Sequence, residues 1–236
     1  MNFDVNSELS LDDKSAIFSS LVALVKAEYP FDGALQDRTA RFLLNLGPMG
    51  DTQLADQLVT KLVPSSGGSC AGFVESIVTL VSSHHSTVVA VALSFVRETT
   101  MRASPEIRCR LVDFDLINNI LATMQPHTLP ISGNEEIITH LIRIFSTLVD
   151  LASSSSLSDL GITDAADTFD LRELLFQKVF IPSSRFVTFL ISNRSIVNGD
   201  LSSNLTLLLG KLIRICPFHR PTLEFVLASP IVMAIS

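Results

Sequence analysis

Apolar residues recur at three- and four-residue steps along nearly the whole chain, and strict alternation over the length of a strand is almost absent. That period belongs to helices with one buried face, so the pattern predicts an all-α protein. The first helix carries its own start signal. Ser10 followed by Asp13 is a capping-box pair, in which the serine side chain accepts a backbone N–H of the first turn and the acid three residues on accepts the serine's own. Leu11, Ile17, Phe18, Leu21, Leu24 and Val25 mark the apolar face, and Tyr29-Pro30 ends the run. A second helix is expected over about 34–46, closed by Gly47-Pro48, and a third over about 52–63, closed by Pro64-Ser65-Ser66-Gly67-Gly68.

The stretch 72–124 is the most informative. It reads as a helix ending at Val81-Ser82-Ser83, a short polar break, a longer helix from about Ser86, a loop at Ser104-Pro105, and two further short helical segments. The longer helix is apolar almost all round, through Val88, Val89, Val91, Ala92, Leu93, Phe95 and Val96. A helix without a wide polar face has to be covered on several sides. Small Ala90 and Ala92 permit close approach, and stacked layers of helices supply the cover.

These residues resemble the armadillo and HEAT helical repeats, the former more closely, over about residues 60–233. The likeness lies in the order of an apolar helix, a serine-rich break, Val88 with Ala92 four residues later, Phe95-Val96, and an apolar return at Leu111-Val112 and Leu116-Ile117. The resemblance implies a right-handed α-solenoid of roughly three armadillo-like repeats behind an N-terminal helical cap. Residues 1–9 form a tail, and 10–236 a single repeat domain. Within it lie a cap at 10–64, a first unit at 65–133, a second at 134–182 with an insertion, and a third at 183–236.

Internal similarity runs the same way. Leu62-Val63-Pro64-Ser65-Ser66 returns as Phe180-Ile181-Pro182-Ser183-Ser184, and Phe73-Val74 with Ile77 returns as Phe186-Val187 with Leu190. Val88, Ala92, Phe95 and Val96 map onto Leu201, Leu205, Leu208 and Leu209 at the same offset. Leu111-Val112 to Ile117 meets Phe225-Val226 to Ile231 after one inserted residue. Ile137, Leu141, Ile144 and Phe145 repeat the long-helix spacing between the two. Repeats of this class are about 40–47 residues long, so the excess before the third unit is assigned to the polar run Ser153 to Asp170, as a loop or a short extra helix. The chain is apolar to its last residues, from Val226 to Ile235, which suits an end that folds back as a lid or an edge on which further structure continues.

Composition narrows the class. Of 236 residues 47% are apolar and 17% charged, enough for a continuous core. A net charge of −7 repels a phosphate backbone, which argues against nucleic acid. Residues 183–236, with five basic and two acidic side chains, are the only basic quarter. Cys70, Cys109 and Cys216 are odd in number, far apart and in apolar surroundings, so they read as buried thiols in a reducing compartment. The start Met1-Asn2-Phe3-Asp4 lacks a basic region before an apolar run, and no apolar stretch reaches the ~18 residues of a membrane span. The expected location is the cytoplasm, with no membrane contact. Asn193-Arg194-Ser195 and Asn204-Leu205-Thr206 fit the glycosylation pattern, which is short enough to recur by chance.

A search for chemistry finds no constellation. Gly67-Gly68 stands alone, and Gly210-Lys211 lacks the preceding glycine and the hydroxyl residue of a nucleotide loop. The five histidines are dispersed, no Cys-x-x-Cys occurs, and the adjacent pair His84-His85 falls in an interhelical break. Cys216 with His219 is separated by Pro217, which breaks the helix that would align them. The carboxylate pairs Asp12-Asp13 and Glu135-Glu136 lie in first turns of helices, where negative charge meets the helix dipole favourably. Ser82-Ser83, Ser153 to Ser156 and Ser202-Ser203 read as turn and capping residues. No catalytic residue, metal site or cofactor is expected.

The expected function is that of a non-catalytic protein-interaction module or scaffold, taking a peptide or partner helix on a concave face. A second reading is an accessory or regulatory helical part of a larger enzyme whose catalytic domain lies outside this chain. In the armadillo family a recurrent asparagine on the third helix clamps the peptide backbone. The resemblance places that position at Glu98, Thr147 and Lys211, none of them asparagine. One turn further on lie Met101, Asp150 and Arg214. The groove then runs from acidic and apolar to basic, and Lys211 with Arg214, three residues apart on one face, is expected to attract an acidic partner segment.

Overall fold

Three helix starts in this chain are set by short polar side chains, those of Ser10, Asp51 and Ser104. Ser10 caps the first helix, α1 (Leu11–Lys26): Asp13 N donates to Ser10 Oγ at 3.2 Å, while Ser10 N donates to Asp13 Oδ2 at 3.3 Å. These distances come from a computed structural model. It describes residues 9–27, 33–47, 51–62, 70–124, 135–152, 158–161, 165–183, 185–186, 203–204, 207–208 and 210–212. Among the described residues every regular element is helical.

The chain divides into two compact units, Met1–Leu129 and Pro130–Ser236. The division falls just before the expected boundary at 133/134. It places the helices of the expected cap together with those of the first repeat.

The first unit continues with α2 (Gly33–Asn45), α3 (Thr52–Lys61), α4 (Cys70–Val81), α5 (Ser86–Arg102), α6 (Pro105–Asp113) and α7 (Leu116–Thr123). Asp51 caps α3 by accepting from Gln53 N at 2.8 Å and Leu54 N at 3.3 Å. Ser104 caps α6, with Pro105 at the first helical position, where its missing N–H removes no bond. The sharp step from α6 to α7 uses Asp115 in the left-handed region, at φ 61°. Asparagine and aspartate enter that region more readily than other side-chain-bearing residues, and Asn118 Nδ2 donates to Asp115 Oδ1 at 2.7 Å.

Packing follows from apolar faces too wide for one neighbour. α4 lies against α1, α3, α5, α6 and α7, while α5 lies against α2, α3 and α4. Phe95 of α5 stands between Phe18 of α1 and Phe73 of α4, its ring centroid 6.1 Å from each. These rings, with Leu43, Leu58, Ile77, Leu80, Leu93 and Leu111, form the buried centre of the unit. Ala90 and Val91 are only half-buried; they lie on the same side of α5 as Thr87, Arg97, Glu98 and Met101, a side interrupted by buried Ser94.

The second unit is built on α8 (Glu135–Val149), followed by a 3-10 turn over Asp150–Ala152, α9 (Ala165–Leu175) and a π-helical turn over Phe176–Phe180. Of the polar run Ser153 to Asp170, read as a loop or short helix, residues 165–170 belong to the start of α9, and Gly161 takes a positive φ of 68°. Ile137, Leu141, Ile144 and Phe145 of α8 are all buried. The Phe145 ring meets that of Phe186 edge-on at 5.4 Å. Leu175, Val179, Phe180, Leu208 and Leu212 are buried in the same unit. The apolar C-terminal end, with Cys216 and His219, lies outside the described residues.

Candidate functional site

α8 is the best-defined platform for the expected groove residues. Its one open edge carries Glu135, Glu136, Thr139, Arg143 and Thr147, and Asp150 follows in the 3-10 turn. The described residues between 203 and 212, all helical, meet this edge at two places. Arg143 Nε donates to Asn204 Oδ1 at 3.3 Å, and Lys211 Nζ donates to Asp150 Oδ2 at 2.6 Å. Both pairs are separated by 61 residues, and the contacts rise together along the two segments. From residue 204 to residue 211 the two contacts therefore advance in the same direction as α8, seven residues on each side.

Two of the expected groove residues, Asp150 and Lys211, are thus brought into one ion pair. Lys211 also donates to the carbonyl oxygen of Ser146, in the last turn of α8, at 3.3 Å. A cation there meets the negative end of the helix dipole. Its side chain is 16% exposed, against 47% for Asp150, so Lys211 is a half-buried clamp rather than an open point charge. Thr147 is half-buried and turned to its own helix, its hydroxyl donating to the Arg143 carbonyl at 2.9 Å. Arg214, expected beside Lys211, lies outside the described residues.

Glu98 and Met101 belong to the first unit, on the same side of α5. Glu98 is paired with Arg97, and with Arg102 one turn on at 3.6 Å. Met101 keeps 48% of its surface exposed, an unusual state for a methionine in a helix-rich unit whose other large apolar side chains are mostly buried. Glu98, expected in the acidic first part of the groove, thus has two arginine partners among the described residues. The i, i+4 spacing of Glu98 and Arg102 was legible in the sequence. The Asn204 contact was not, since an asparagine amide has no pattern that names its partner.

The other singled-out groups have ordinary structural partners. His85 stands at the N-terminal cap position of α5, with Nδ1 3.0 Å from Gln36 Nε2 of α2, while His84 is exposed. Asp12 and Asp13 sit in the first turn of α1, and Glu135 and Glu136 in that of α8. Cys70 is buried but Cys109 only half-buried, which corrects the reading of uniformly buried thiols. Burial raises both thiol pKa values, with nearby Arg110 opposing it at Cys70, and Cys109 is pushed up to about 11. No group of three or more His, Cys, Asp or Glu positioned to hold a metal occurs among the described residues. None of the described helices is long and apolar enough to cross a membrane.

Comparison with protein-family models, with curated proteins and with solved structures gives no match for this chain.

Proposed function

We propose that the chain is a non-catalytic protein-interaction module or scaffold of the armadillo-like helical-repeat kind, acting in the cytoplasm and receiving a peptide or partner helix along its helix edges. The observation that carries this reading is the shared separation of 61 residues in the contacts of Arg143 with Asn204 and of Asp150 with Lys211. Neighbours running the same way in constant register are what tandem stacking of like units produces, and such stacking turns helix edges into an extended binding surface. Within the first unit, the edge of α5 offers half-buried Ala90 and Val91 and an exposed Met101 as an adaptable apolar contact. An acidic partner segment meets Lys211 only in competition with Asp150, so the apolar contacts carry more of the affinity than the charges. The free thiols of Cys70 and Cys109 fit a reducing compartment.

The test is site-specific photo-crosslinking in cells, with a photoreactive residue placed in turn at Met101, Thr147 and, as a control, exposed Leu44 on α2. One protein captured from Met101 and Thr147 but not from Leu44 is the expected result. Equal capture from all three positions, or none from Met101 and Thr147, overturns the reading.

A further inference from the structure

We draw no further inference here: the strongest candidate, the half-buried line of small side chains Ala90 and Val91 that leads along α5 to the exposed Met101, is a helix edge already used in the proposed function, and nothing in the structure shows what covers it.

Discussion

Lys211 Nζ stands 2.6 Å from Asp150 Oδ2, so a single ammonium ion joins the residues around 211 to the end of α8. Because the Asp150 side chain is 47% exposed, water screens much of the attraction. A double-mutant cycle of Lys211→Met and Asp150→Asn should give a coupling of about 0.5–1 kcal/mol that shrinks as salt rises. Chemical denaturation measures it, and zero coupling at low salt would show that the two side chains do not meet in solution.

Phe95 touches aromatic rings from two other helices and is 2% exposed. Phe95→Ala should therefore destabilise the protein by about 3–5 kcal/mol through lost burial and the cavity left between Phe18 and Phe73. The urea midpoint is the readout, with the slope unchanged. An unaltered midpoint would mean that α5 is peripheral.

Asp56 on α3 accepts a hydrogen bond at 2.8 Å from the backbone N–H of Ser104, the residue that caps α6. Asp56→Ala strands that half-buried donor and should cost about 1–2 kcal/mol, whereas Asp56→Asn keeps an acceptor oxygen and should cost less than half as much. Equal losses for the two variants would assign the effect to charge instead of to the hydrogen bond.

The Cys109 thiol, raised to about 11 by burial, predicts a pH dependence whose sign can be worked out. The unfolded chain releases this proton near pH 9.0, the folded chain only near pH 11. Between those values the unfolded state binds fewer protons, so stability is full below the lower pH and falls as pH rises through the window. Alkylation of Cys109, followed by site-resolved mass spectrometry, should accordingly be slow in the native protein at pH 8 and accelerate towards pH 11. Rapid labelling at pH 8, at the rate seen in denaturant, would contradict the buried setting.

Most of the helix inventory was legible because its signals act over three or four residues. Ser10 with Asp13, Asp51, Ser104-Pro105 and the break at Ser82-Ser83 each state where a helix begins or ends. The buried faces of α5 and α8 could likewise be read from spacing alone, apart from Ala90 and Val91, whose exposure depends on where α2, α3 and α4 lie around α5. Of the expected groove residues, Thr147 and Asp150 share one edge of α8 and its extension, but their spacing gave no sign that Asp150 is paired with Lys211.

Taken by itself, the sequence determined the helical character of the described chain, the capping box of its first described helix and the apolar faces that demand cover, since backbone hydrogen bonding and side-chain periodicity are local properties. Tertiary structure alone decided the partners. Asp56 finds Ser104 across 48 residues and Asp150 finds Lys211 across 61. Such pairs depend on the path of the whole backbone between them, because a charge or amide attracts any complementary group within a few ångströms and its own neighbours in sequence do not specify which one arrives. The joining of α1 to α4 and α5 around Phe18, Phe73 and Phe95 has the same origin: apolar burial is proportional to area and indifferent to sequence order.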